Sequence, residues 1–188
     1  KRGSFGQAGI MEIIPRIGQL WQENRDELLR SADQILDHLK QSTVGPSPEN
    51  EALDESLLKR GYDALASIYD PQNGGFGGAP KFPAPHNLLF LLRCWKRSKD
   101  AFALQMVEES LQAMRMGGVF DHLGGGFHRY STDAGWRIPH FEKMLYDQAM
   151  MAMAYTEAYQ ATGKEEYART VQEILEYVLR DMTSIRGG

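Results

Sequence analysis

The chain has 188 residues, 42% of them hydrophobic and 24% charged, which supplies enough apolar material for a packed core and excludes a disordered chain. Its formal net charge of −4 gives no electrostatic reason to expect nucleic acid or an anionic membrane as partner. A single cysteine, Cys94, excludes an internal disulfide or a Cys-x-x-Cys pair; no apolar run approaches the roughly 20 residues of a membrane span and no signal-peptide core opens the chain, so a soluble, cytoplasmic protein is the expectation.

Residues 10–22 place Ile10, Ile13, Ile14, Ile17, Leu20 and Trp21 at helical spacing, with Pro15 near enough to the first turn to be tolerated. Asn24 and Glu27 read as a capping box, after which Leu28, Leu29, Ile35, Leu36 and Leu39 carry an amphipathic helix to about Lys40. Residues 42–51 hold Gly45, Pro46 and Pro48 and almost nothing apolar, the composition of a linker at a domain boundary. Beyond it, Leu57, Leu58, Leu65 and Ile68 mark a helix ending near Tyr69, followed by turn formers from Asp70 to Gly75 that lead into Phe76.

Pro85 fits the first turn of the next helix, which carries Leu88, Leu89, Leu91, Leu92 and Trp95. On it, Cys94 reads as a small buried hydrophobe, and Arg93, Lys96, Arg97 and Lys99 as cations gathered at a helix C-terminus. Asp100 can cap a partner helix containing Phe102, Met106, Val107, Leu111 and Met114, which makes an αα-hairpin. A Gly-rich loop then runs from Gly117 to Pro139, and a helix is predicted from about His140 to Gln160. Thr162 with Glu165 reads as the capping box of a last helix bearing Tyr167, Val171, Ile174, Leu175 and Val178. No alternating apolar run predicts a β-strand, so the fold class is all-α.

Gly74-Gly75-Phe76 recurs 51 residues later as Gly125-Gly126-Phe127, each time between a helix and a helical hairpin. Residues 144–155 are apolar almost all round, as an inner helix of a toroid of stacked hairpins should be. A further Gly-Gly pair, Gly187-Gly188, falls where another such loop would begin. The expectation is a chain cut inside a longer array, whose exposed helix faces would favour self-association.

Candidate chemistry concentrates between Asp121 and Gln148. Asp121, His122, His128, Arg129 and Asp133 lie in the loop, while His140, Glu142, Lys143 and Asp147 are expected on the first turns of the inner helix. There His140, Lys143 and Asp147 share one face and Glu142 points elsewhere, toward Tyr146. In a functional reading His140 or Glu142 exchanges a proton at a sugar carbon or glycosidic oxygen while Trp136 or Phe127 stacks on the ring. In a structural reading Lys143 and Asp147 form an i,i+4 ion pair, His140 braces the loop, and Phe76 and Phe127 plug the hairpin ends. The histidine spacings are not ligand spacings and no His-Glu-x-x-His occurs, so neither metal nor cofactor is expected. Gly124-Gly125-Gly126 lacks the Lys-Ser/Thr of a phosphate loop. The loop Gly77-Gly78-Ala79-Pro80-Lys81-Phe82-Pro83 could bring Lys81 to the same mouth.

Three segments, Gly75 to Pro83, Val119 to Ser131 and Pro139 to Ala149, resemble signature stretches of the YyaL-type, spermatogenesis-associated protein 20-like family of thioredoxin-domain-containing proteins. The resemblance implies an N-terminal thioredoxin-like domain, ending in residues 1–41, and then an (α/α)6 barrel similar to N-acylglucosamine 2-epimerases and six-hairpin glycosidases, whose first hairpins would be residues 52–188. The family's Cys-x-x-Cys-type segment would lie upstream of Lys1 and its Asp-rich barrel loop beyond Gly188. It points to Arg129, His140 and Glu142 as catalytic groups at the barrel mouth; the loop and helix-start residues themselves supply Lys81, Asp121, Phe127, His128, Asp133, Trp136, Lys143 and Asp147 as substrate-binding candidates. Three readings follow: a sugar epimerase or glycosidase, a thioredoxin-coupled redox or folding factor, and a non-catalytic carbohydrate- or protein-binding scaffold.

Overall fold

The computed structural model describes residues 8–43 and 54–186, which fall into two units. In the first, α1 (Ile10–Glu23) and α2 (Arg25–Thr43) pack on each other. Asn24, between them, donates its backbone N–H to Leu20 and its side-chain amide to Glu27. Helix α2 continues through Ser42 and Thr43, the first residues of the segment read as a linker, and the rest of that segment lies outside the described residues.

The second unit contains α3 (Glu55–Ile68), α4 (Pro85–Ser98), α5 (Ala101–Met116), α6 (Leu145–Thr162) and α7 (Glu165–Asp181). Asp54 caps α3 by accepting from Ser56 N–H, Pro85 opens α4, and Asp100 caps α5 by accepting from Phe102 N–H. Each of these devices satisfies or removes a backbone donor that a helix start leaves without a partner. Helix α4 packs on both α5 and α6, and α6 packs on α7, so α4 and α6 form an inner row and α5 and α7 an outer one. The core between the rows holds Leu88, Leu91, Met106, Leu111, Met114, Phe127, Met151, Tyr155 and Ile174. Buried Tyr155 bonds the Leu111 carbonyl at 2.7 Å and ties α6 to α5. Met151, Ala154 and Ala158 of α6 are buried, whereas Leu145, Tyr146 and Met153 stay open.

Three expectations are corrected. The helix predicted from His140 starts at Leu145, because the preceding backbone is already paired. Strands β1 (Tyr130–Ser131) and β2 (Pro139–His140) run antiparallel, with Tyr130 opposite His140, and Arg129 N–H donates to the Glu142 carbonyl at 2.8 Å. A small two-stranded sheet therefore sits in the otherwise helical unit, although two-residue strands leave no alternating run to read. The Thr162 and Glu165 capping box does not form: Thr162 closes α6 with its hydroxyl on the Ala158 carbonyl. Gly163, at φ +71°, then makes the left-handed cap, and Lys164 is the N-cap of α7 without a side-chain bond.

Candidate functional site

Two loops lead into the inner helices, one from α3 to α4 and one from α5 to α6, and they share one internal design. In the first, Asp70 Oδ1 accepts from the N–H groups of Gln72 and Asn73, at 2.9 and 3.1 Å. The Gly74 N–H returns to the Asp70 carbonyl at 2.8 Å. Lys81 closes the loop, its ammonium 2.6 Å from Asp70 Oδ2 and 2.9 Å from the Gly74 carbonyl. In the second, Asp121 Oδ1 accepts from Leu123 and Gly124 at 3.0 and 2.9 Å, and Gly125 N–H returns to the Asp121 carbonyl at 2.9 Å. Lys143 bridges Asp121 Oδ2 and the Gly125 carbonyl at 2.7 and 2.8 Å.

Gly75 and Gly126 sit at φ +79° and +78°, in the left-handed region, and a Cβ there would lie 2.5 Å from the Trp136 ring and 2.6 Å from the Tyr177 ring. Only glycine fits both demands. The Gly124 N–H and the Lys143 ammonium hold the Asp121 carboxyl well below the usual carboxylate range. Burial works against ionisation of Asp70, but the Lys81 ammonium and the Asn73 amide outweigh it and hold that carboxyl low as well.

Between the second Gly-Gly-Phe and Lys143 the chain folds into a short ladder. Lys81 pairs antiparallel with Ser131, and Tyr130 with His140. Side chains alternate along extended backbone, so Lys81 and Ser131 turn inward and are fully buried while Phe82, Tyr130 and His140 line up on the opposite face. Across the strands Phe82 lies against Tyr130 with centroids 4.8 Å apart and ring planes tilted by 32°, and Tyr130 stacks on His140 at 4.9 Å and 17°. These separations match the spacing of neighbouring strands.

At the His140 end of the ladder, Glu142 Oε2 lies 3.8 Å from His140 Nδ1 and 4.0 Å from Arg129 Nε. Both separations are ion-pair distances, too long for direct hydrogen bonds. Arg129 also donates to the Tyr146 hydroxyl at 2.5 Å. Three polar atoms in this stretch are covered from solvent without a hydrogen-bond partner: His140 Nδ1, His128 Nδ1 and Asp147 Oδ2. Burial pushes the Asp147 carboxyl up, with the Arg129 cation opposing. Burial, assisted by the Lys143 cation, pushes the His128 imidazole down. A buried polar group without a partner carries a desolvation penalty of about 1–3 kcal/mol.

The structure thus brings Arg129, His140 and Glu142 together, with Asp147 on the first turn of α6 close enough to feel the Arg129 charge. It assigns other work to several residues expected to meet a ligand. Lys81, Asp121 and Lys143 form the two clamps, and the expected Lys143–Asp147 pair is replaced by Lys143–Asp121 because Lys143 precedes the helix. Phe127 is 0% exposed and Trp136 1%, so neither ring offers a face for stacking. Phe127 packs on Tyr155 and Phe120, and Trp136 donates its indole N–H to the Asn73 carbonyl at 2.9 Å beneath the Lys81 ammonium. Asp133 accepts from the N–H groups of Gly135, Arg137 and Ile138 and holds the turn before β2. His122 bonds the Gly117 carbonyl and faces Arg115. Among the described residues no three His, Cys, Asp or Glu side chains are grouped closely enough to hold a metal ion, and no helix is long and apolar enough to cross a membrane.

Sequence reasoning does not single out Tyr130. The available signal was the in-and-out order of Lys81-Phe82 and Tyr130-Ser131, but two-residue alternations are too short to stand out.

The chain is homologous to spermatogenesis-associated protein 20. It is 39% identical to the protein of Homo sapiens over 191 residues and 40% identical to that of Mus musculus over 189, in each case across 97% of this chain and 24% of the relative. It therefore spans about a quarter of the length of the curated relatives it matches. No protein-family model matches. Among solved structures it is similar to cellobiose 2-epimerase from Bacillus thermoamylovorans, with 18% identity and a TM-score of 0.60 across 70% of this chain and 38% of that one. A sugar epimerase from a ruminal bacterium aligns with 17% identity and a TM-score of 0.61 over the same shares. At these identities the likeness establishes the fold, part of an α/α toroid that sugar epimerases also use.

Proposed function

We propose that this chain carries the polar half of a carbohydrate site in which His140, Glu142 and Arg129 act on a sugar. The observation that carries the proposal is the placing of one carboxylate, Glu142, between an imidazole and a guanidinium, at 3.8 and 4.0 Å, in the loop that leads from α5 into α6. Nδ1 of His140 faces that carboxylate, which favours the tautomer with its proton on Nδ1 and leaves Nε2 as the basic nitrogen. Catalytic hydrogen bonds are often long before a ligand arrives and tighten around it.

In this reading His140 takes the proton from the carbon beside a sugar carbonyl. Arg129 faces the carbonyl oxygen, which gains negative charge as that C–H bond breaks, and Glu142 stabilises the imidazolium that results. Return of the proton to the same face gives back substrate, and protonation of the opposite face, by water or by His140 after the planar enediolate has turned in the site, yields the epimer, so the step needs no oxidant and no co-substrate. The toroid shared with sugar epimerases supports the substrate class. A binding module without turnover is favoured by the internal engagement of Lys81, Lys143, Asp121 and Asp133, and it differs from the enzyme only in the second half of the test.

Binding of mono- and oligosaccharides to the full-length protein should be abolished by both His140→Ala and Glu142→Gln in variants that melt like the wild type. Transfer of deuterium from solvent into a bound sugar then separates an enzyme from a binding module. Failure of every sugar to bind at millimolar concentration would remove the proposal.

A further inference from the structure

We infer that Phe82, backed by Tyr130, is a stacking platform for a second sugar ring, which makes the ligand an oligosaccharide rather than a single sugar; this rests on the carbohydrate reading above. Tyr130 packs against one side of Phe82 at 4.8 Å, its ring tilted by 32°, and the phenylalanine remains 48% exposed. Nearly half of its surface is therefore open to a ligand. Half-exposed aromatic rings are common, but this one is held rather than loose. Its neighbours in the chain, Lys81 and Pro83, are both buried, Lys81 is paired by backbone bonds of 2.8 Å in each direction with Ser131, and its ammonium is clamped by Asp70. A ring fixed in advance loses little conformational freedom when a ligand stacks on it.

The apolar face of a pyranose suits such a platform, since its C–H groups meet the aromatic face while its hydroxyls point outward to the rim. The same ladder fixes which ring of the ligand this is. Phe82 and His140 are separated by two ring spacings, of 4.8 and 4.9 Å, with Tyr130 between them. A sugar on the side of Phe82 away from Tyr130 cannot also present an atom to His140. The platform therefore selects for chain length while the Arg129, His140 and Glu142 group handles another residue of the same ligand.

The test measures binding of glucose, cellotriose and maltotriose to the full-length protein by calorimetry, for wild type and for Phe82→Ala, Phe82→Leu and Phe82→Trp. Wild type should bind one trisaccharide about ten-fold more tightly than glucose, the value of a good aromatic contact. Phe82→Ala and Phe82→Leu should both remove that advantage and leave glucose affinity unchanged, and Phe82→Trp should retain it. Leucine keeps the apolar volume, so its failure distinguishes stacking from packing. A trisaccharide advantage that survives Phe82→Ala, or glucose and trisaccharides binding wild type equally, would overturn the inference while leaving the site at His140 standing. Absence of any sugar binding to wild type would overturn both.

Discussion

The loops at residues 70–83 and 119–143 solve the same problem with the same parts and then diverge. Each presents an aspartate whose carboxylate gathers two backbone N–H groups, a Gly-Gly-Phe whose second glycine adopts positive φ, and a lysine that ties the carboxylate to the carbonyl of the first glycine. In the first loop the lysine follows soon after the phenylalanine, and its side chain is 0% exposed. In the second, Lys143 arrives only after the chain has made the β1 and β2 ladder, and its side chain stays 12% exposed. The added length between clamp and lysine is where Arg129, Tyr130, His140 and Glu142 lie. A frame rigid at both ends can thus carry a variable insert whose polar groups need not stabilise the fold.

The largest expected difference comes from breaking the clamps. Lys81→Met strands the Asp70 carboxylate in a largely covered site and should lower unfolding free energy by about 3–5 kcal/mol. Lys143→Met, in a wetter setting, should cost about 1–3 kcal/mol, because water can replace part of what the ammonium gave. Urea denaturation of both variants checks the order, and equal losses would mean that the second clamp is as closed as the first.

A smaller effect separates the ways the two loops are pinned to the helices. Gln148 of α6 holds both backbone groups of Phe127, accepting its N–H at 2.8 Å and donating to its carbonyl at 2.7 Å. Ser110 of α5 holds only the Gly75 N–H, also at 2.8 Å. Gln148→Leu should therefore destabilise by about 2–3 kcal/mol and Ser110→Ala by about 1 kcal/mol, as read from thermal melts of the two variants.

The smallest effect is in the acid limb of stability. Asp121 has its folded pKa lowered, so its contribution is complete above the unfolded value near 4 and is lost as pH falls through the folded value. Asp147 has its folded pKa raised, so its contribution is complete below about pH 4 and is lost as pH rises through the folded value. Asp121→Asn should flatten the fall in melting temperature between about pH 5 and 2. Asp147→Asn should instead raise stability at neutral pH relative to acid. Like-signed changes in the two variants would contradict the environments described for them.

The five long helices of the second unit were legible in the sequence because apolar spacing and caps such as Asp100 are local, and so was the repeated Gly-Gly-Phe, because positive φ beside a close neighbour admits only glycine. The resemblance of residues 119–149 to a known family nominated Arg129, His140 and Glu142 together. Spacing alone misplaced the stretch from His140 to Lys143 by treating it as helix.

What the sequence by itself determined was the set of helices, the repeat and the residue types at the candidate site. Only the tertiary structure decided that Lys143 reaches back to Asp121, that Trp136 and Phe127 are packing, and that Phe82, Tyr130 and His140 form one ladder. Those outcomes depend on contacts between segments distant in the chain, and a two-residue strand acquires its partner, and therefore its inward and outward faces, only when another segment arrives beside it.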